Sequence, residues 1–363
     1  MVRLTEAAMS ETDPVEESAA DDRDLYDVAT WEPRSAIDRA AVAVHGALAG
    51  NARVLLVVFA ALVFLAQVGG VVWLASRNPA VGVVALLSAV PAFALVAFVW
   101  RQDVAEKEPL GTLAATFVLS VLFASFAATI NTALGGLFRS VGVWGLVLYF
   151  FLIVGPGEEL VKWLAVRLYA YERSEFDAVI DGAVYGAVAG LGFATIENTL
   201  YVVQGFVRAQ QAGATQAIGA ALGTATSRAL AGPGHVIYSA WAGYYLGLAK
   251  FNPENRGPIV VKGLLIAGLI HALYNSIVTV APLGGLSLPG YLGFVVVYDG
   301  IFLYLLYRKL ARYRDSYADT VDEESEPADD ATVEADDSDV GPVWDAPETE
   351  DHSEPETAND SER

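Results

Sequence analysis

Cysteine is absent from this 363-residue chain, which excludes disulfides, thiolate nucleophiles and zinc–thiolate sites. Histidine is scarce, with four in all, and no HExxH pattern sets two of them one turn apart on a helix. Lysine is also rare, five against 17 arginines. The basic residues flank apolar segments and gather into no patch, so nucleic-acid binding is not expected. No glycine-rich loop precedes a soluble helix, so a phosphate cradle is not expected either. Residues 1–30 are acidic where a leader would be basic and then apolar. A cleavable secretory signal is therefore not expected, and the first apolar segment must serve as its own insertion signal.

What is present is apolar bulk beside a large negative charge. The chain is 54% hydrophobic and carries a formal charge of −21, with a mean hydropathy of +0.42. The two properties are segregated. Residues 1–30 hold 9 acidic and 2 basic side chains, and residues 315–363 hold 20 acidic and 1 basic, leaving 14 acidic against 19 basic in 31–314. Both tails are rich in Asp, Glu, Ser, Thr and Pro and poor in large apolar residues. They cannot bury enough surface to offset their ordering entropy and are expected to be disordered. Such acidic tails, with arginine preferred to lysine, suggest a salt-adapted organism.

The middle region repeatedly supplies the roughly 20 apolar residues that a helix needs to cross a bilayer. We read an all-α, polytopic membrane helix bundle of about eight transmembrane helices, near 54–76, 80–100, 111–136, 141–167, 178–204, 216–249, 259–281 and 290–307. Arginine and lysine favour one set of alternate loops, which include Arg101, Lys107, Arg167, Arg173, Lys250, Arg256 and Lys262. The other set holds only Arg77, Arg139 and Arg208. This bias predicts a cell-membrane protein with both termini cytoplasmic. The segment 216–249 contains Gly232, Pro233 and Gly234, and a helix break is expected there.

Ionisable groups in hydrocarbon cost about 2.5–3.5 kcal/mol each, so their default reading is functional. They are concentrated after residue 140, which places the chemistry in the last five spans. Glu158, Glu159 and Lys162 lie in the fourth span. Asp181, Glu197 and Asn198 lie in the fifth, Arg228 and His235 in the sixth, His271 and Asn275 in the seventh, and Asp299 in the eighth. Glu158 and Lys162, at i and i+4, share a helix face and can pair. Two neighbouring carboxylates in a poorly hydrated cavity suit a base beside a protonated acid. His271 offers an acid, a base or a ligand, and Asn275, one turn on, can donate to an oxyanion. Each of these taken singly also reads as a neutralised pair or a packed polar residue. Together, from four helices, they read as one polar site.

Four segments in this order, EELVK (Glu158–Lys162), FATIEN (Phe193–Asn198), Gly-Pro-Gly-His (Gly232–His235) and HALYN (His271–Asn275), resemble the PrsW family of intramembrane proteases. The resemblance covers about 140–307, taken as the protease-like core of a transmembrane bundle at 31–314. It implies catalytic roles for Glu158, Glu159 and His271, with Glu197 of the second motif and Asn275 of the last, and a membrane-anchored protein as substrate; bacterial members are linked to cleavage of a membrane-anchored anti-sigma factor. Related CAAX-processing enzymes usually carry histidine where Glu197 stands, so that histidine's role does not transfer, and His235 is the substitute from another helix. Phe193, Asn198 and Lys162 are supporting residues.

The implied chemistry is peptide hydrolysis by a glutamate-activated water, with Asn275 and His271 holding the oxyanion. No cofactor is required in that reading. His235, His271 and Glu197 form an alternative His2Glu zinc set. Other functions remain open at this stage: an ion-coupled transporter, which also uses broken helices and buried carboxylates, or a non-catalytic membrane scaffold.

Overall fold

The computed structural model describes residue 24 and residues 32–103, 107–213, 216–281 and 287–325. Most of both acidic tails, and with it the expectation of disorder there, lies outside these residues. The described residues are helical, with no strand among them. The helices are α1 Ala36–Arg77, α2 Pro79–Leu87, α3 Val90–Trp100, α4 Leu110–Arg139, α5 Val143–Tyr149, α6 Gly155–Leu168, α7 Val179–Gln211, α8 Ala217–Lys250, α9 Arg256–Val280 and α10 Leu288–Ser325. The last helix therefore runs on past residue 314, into the segment read as tail.

Among the described residues seven helical segments are long and apolar enough to cross a membrane, against about eight expected. The missing one is α8. Its 34 residues suffice in length, but Arg228 and the surrounding Gly, Ser and Thr residues make it too polar to qualify by composition. It lies antiparallel along α7, from Gly247 beside Val179 to Thr224 beside Gly205, and so covers the same depth.

The α7–α8 contact is the centre of the bundle. Gly182, Gly186 and Gly190 recur every four residues on α7, and the absence of side chains there lets the two backbones touch. A Cβ placed at Gly186 would lie 2.3 Å from the Ser239 carbonyl oxygen, and one at Gly190 would lie 2.4 Å from that of His235. From the other side, a Cβ on Gly243 would meet the Gly182 oxygen at 2.0 Å. Lipid gives apolar side chains no reason to associate, so close backbone packing of this kind is what holds membrane helices together. The result is that α7 is buried almost continuously from Val179 to Asn198, as the small residues of YGAVAGLGF predict.

The break expected at Gly232–Gly234 does not occur: α8 runs unbroken with Pro233 inside it. Proline deletes a single ladder bond. The close contact of α7 against His235, directly after it, holds the helix continuous. Irregularity appears elsewhere. The second span is divided at Ser88–Ala89 into α2 and α3, and the fourth contains a π-helical segment, Phe150–Val154, just ahead of Gly155-Pro156-Gly157. Pro156 has no N–H to return to the preceding turn, and the wider π turn absorbs that loss. Such bulges gather at functional sites.

Candidate active site

Four helices converge beyond that bulge. A Cβ on Gly155 of α6 would lie 2.5 Å from the Gly268 oxygen of α9. This close approach brings the start of α6, with Glu158 and Glu159, against His271 one turn along α9. The α7–α8 glycine contact does the same for His235 by way of Gly190.

The adjacent glutamates have opposite surroundings. Glu159 is fully buried and saturated. Its Oε1 accepts from Lys162 Nζ at 2.6 Å and lies 2.9 Å from His271 Nδ1, while its Oε2 accepts from Ser239 Oγ at 3.0 Å. Glu158 Oε1 accepts from Asn131 Nδ2 at 2.9 Å, but Glu158 Oε2 has no hydrogen-bond partner and sits 3.7 Å from His271 Nε2. The pairing of Lys162 with Glu158, expected from the i,i+4 spacing, is thus corrected to an i,i+3 pair with Glu159. The lysine is drawn there because its ammonium also reaches His235 Nδ1 at 3.0 Å.

Tautomers follow from these partners. A carboxylate only accepts, so His271 carries its proton on Nδ1 toward Glu159, and its Nε2 lone pair faces Glu158. An ammonium only donates, so His235 accepts at Nδ1 and carries its proton on Nε2, 2.9 Å from Glu197 Oε2. The two imidazole rings meet edge to face at 5.1 Å. Phe193 packs beside His235 at 5.3 Å and takes the Lys162 ammonium over its face at 4.5 Å, a cation–π contact.

Glu197 is held by Arg228, whose guanidinium also donates from Nε to Asn198 Oδ1 at 2.9 Å. Asn198 in turn donates to the carbonyls of Ser88 and Arg228 at 3.3 Å each. Its role is to tie α7 to the α2–α3 break and to α8. Asp299 accepts from Tyr238 at 3.1 Å, and the Tyr238 ring lies 5.4 Å from that of His271.

A cavity of about 920 Å³ opens beside these groups, lined by Glu158, Glu197, Arg228, His235, His271 and Asn275 among others. Glu159 and Lys162 do not line it. The structure therefore brings together Glu158, Glu159, Lys162, Glu197, Arg228, His235, His271 and Asn275, but in two layers, one lining the cavity and one behind, whereas Asp181 lies apart at the start of α7. Reasoning from sequence missed Asn131, Ser239 and Tyr238. Asn131 comes from α4, so the chemistry is not confined to the last five spans. Its signal was an asparagine in an otherwise apolar helix, SFAATINTAL. Ser239 and Tyr238 carry no signal that separates them from ordinary packing residues.

The donor set fits a metal, in a different combination from the one expected. Ligand atoms of Glu158, His235 and His271 lie within 4.8 Å of one another; Glu197 is replaced in the trio because Arg228 holds it. Two nitrogens and a carboxylate oxygen suit zinc, and Glu159 behind His271 is the carboxylate–histidine arrangement that fixes a ligating imidazole. One condition applies: His235 must move its proton from Nε2 to Nδ1, with Lys162 giving up its donation there.

A sequence model described as PrsW family intramembrane metalloprotease matches residues 108–304. The chain belongs to the PrsW family of intramembrane metalloproteases. Three relatives, each called Protease PrsW, support this assignment. That of Halalkalibacterium halodurans is 31% identical over 188 residues, 52% of this chain and 79% of the relative. That of Geobacillus kaustophilus is 32% identical over 51% of this chain and 75% of its own length. That of Bacillus subtilis is 31% identical over 52% and 79%. No solved structure matches the chain. The PrsW membership makes it a membrane protease and sets aside the transporter and scaffold alternatives. The PrsW region matched contains all four motifs and the whole cavity-facing set of Glu158, Glu197, His235, His271 and Asn275.

Proposed function

We propose that this chain cleaves a peptide bond of a membrane-anchored protein within the described cavity, with Glu158 as the working carboxylate and Glu159 as the group that positions its partners. The observation that carries this is the buried Glu158 Oε2, which has no hydrogen-bond partner, belongs to a residue that lines the cavity and lies 3.7 Å from His271 Nε2.

Glu158 Oε2 takes a proton from the attacking water as oxygen adds to the scissile carbonyl, and the same carboxyl then delivers that proton to the leaving amine. Asn131 keeps Oε1 fixed, so the reacting oxygen does not rotate away. Asn275 donates to the oxyanion, and Glu159 holds His271 in the tautomer that accepts hydrogen bonds on the cavity side. Arg228 anchors Glu197 at the wall.

A second reading is favoured by the convergence of Glu158, His235 and His271 and by the family's description as metalloproteases. These three would hold a divalent metal, which when bound supplies Lewis acidity to the carbonyl and acidifies a water. One oxygen cannot ligate and take the proton at once, so chelation separates the readings. Cleavage of a membrane-anchored peptide that survives chelation assigns Glu158 as base. Cleavage lost on chelation and restored by zinc assigns it as ligand. In either case His271→Ala is expected to lower cleavage by at least about 100-fold, since it removes the Nε2 lone pair that orients the attacking water or ligates the metal. Undiminished cleavage by that variant would sink the proposal.

The cavity is lined from one end of the bundle: Arg139 at the end of α4, Arg208 near the end of α7, Ala220 near the start of α8, Thr279 near the end of α9 and Tyr291 near the start of α10. By the distribution of arginine and lysine this is the non-cytoplasmic end. The scissile bond is accordingly placed toward that side of the membrane.

A further inference from the structure

A second cluster of acids lies at the other ends of α4 and α7. Asp103 and Glu108 belong to the connection between α3 and α4, and Asp181 lies in the first turn of α7. All three are buried, Glu108 with 3% of its surface exposed and Asp181 with none. Their oxygens approach within 4.8 Å of one another, and no step proposed for the cavity uses them.

Acidic side chains at a helix start are commonly caps, and Asp181 is partly one: its Oδ2 accepts from the backbone N–H groups of Asp177 and Ala178 at 2.8 Å each. That leaves Asp181 Oδ1 without a partner, and neither oxygen of Glu108 has one. Burying such groups unpaired is costly. A proton shared between Glu108 and Asp181 would serve one oxygen of each and leave the second Glu108 oxygen without a donor. Cationic side chains do not close the gap. Lys107 Nζ stands 3.7 Å from Asp103 with its side chain half exposed, and Lys250, which also acts on Asp181, is held by the carbonyls of Tyr171 and Phe176. Burial accordingly pushes the Glu108 carboxyl up to about 8.

We propose that Asp103, Glu108 and Asp181 form a binding site for a hard divalent cation of the calcium or magnesium class, separate from the reaction cavity. Oxygen ligands at about 2.4 Å from calcium stand at most about 4.8 Å apart, and one oxygen from each of the three residues lies within that limit of the others. The ion would tie the α3–α4 connection to the start of α7. It would thereby fix the two helices that deliver Asn131 and Glu197 to the site.

The test uses the full chain in detergent, stripped with chelator and then titrated with calcium or magnesium chloride while thermal unfolding is followed. Wild type is expected to gain several degrees saturably. Glu108→Gln and Asp181→Asn are expected to lose that gain, and Glu158→Gln is expected to keep it. In chelator Glu108→Gln should melt no lower than wild type, because it removes a buried carboxyl whose oxygens have no partner. A wild type that does not respond, or a response equal in Glu108→Gln, which would place the ions on the acidic tails, overturns the proposal. So does a Glu108→Gln that melts far below wild type in chelator. Should neither variant fold, manganese retained after desalting by the Glu158→Gln protein decides by its paramagnetic resonance: one tightly held ion supports the site, and none overturns it.

Discussion

Glu158→Gln is expected to reduce cleavage by about three orders of magnitude or more while leaving the bundle folded. Its amide has the same shape and still accepts from Asn131 through Oε1. What it lacks is a basic oxygen facing His271, where a carboxylate otherwise takes the water's proton or holds a metal. General base catalysis is worth about 10²–10⁴-fold, and where the oxygen instead ligates a metal the substitution removes that ligand. Stability should be unchanged or slightly higher, since the substitution removes a buried carboxyl oxygen that has no partner. Initial rates on a membrane-anchored peptide, measured beside a melting curve, check both halves.

Gly186→Val is expected to have the largest effect on folding. A Cβ there already overlaps the Ser239 carbonyl oxygen at 2.3 Å, and backbone on both sides leaves nothing to rotate away. The helices would have to part, and overpacking of this kind costs about 1–3 kcal/mol or more. Parting them also withdraws Ser239 from Glu159 and moves His235. Gly136→Val on α4 is the control, since no atom stands within 4 Å of a Cβ there. The expected result is little or no monodisperse Gly186→Val protein and near-normal recovery of Gly136→Val. Equal recovery of the two would show that the α7–α8 contact is looser than described.

The helical-bundle architecture was legible because its cause is simple: lipid demands long apolar helices, and the sequence supplies them repeatedly. The centrality of α7 was legible for the same kind of reason, in the spacing of Gly182, Gly186 and Gly190. The continuity of α8 was not. Proline and glycine state a local preference, whereas the packing of α7 against His235 is a contact between residues far apart in the chain. The same limit explains the site. Sequence could say that Glu158, Glu159, Lys162, His235 and His271 belong together, because polar groups in lipid seek one another. It could not say which carboxylate faces the cavity, since that depends on Ser239 from α8 and Asn131 from α4. Lys162 illustrates this best: helical spacing permits it either glutamate, and the position of His235 on another helix decides.

The proposed reading gives the two neighbouring glutamates of this membrane helix different duties. Comparing single-turnover cleavage by Glu158→Gln and Glu159→Gln, each per amount of monodisperse protein, tests that reading most directly. Glu159→Gln strips the charge partner from a buried lysine, so it should be recovered poorly, but the protein that does fold should cleave at least about 10-fold faster than Glu158→Gln. Equal rates, or a faster Glu158→Gln, would contradict the division of labour between the two carboxylates.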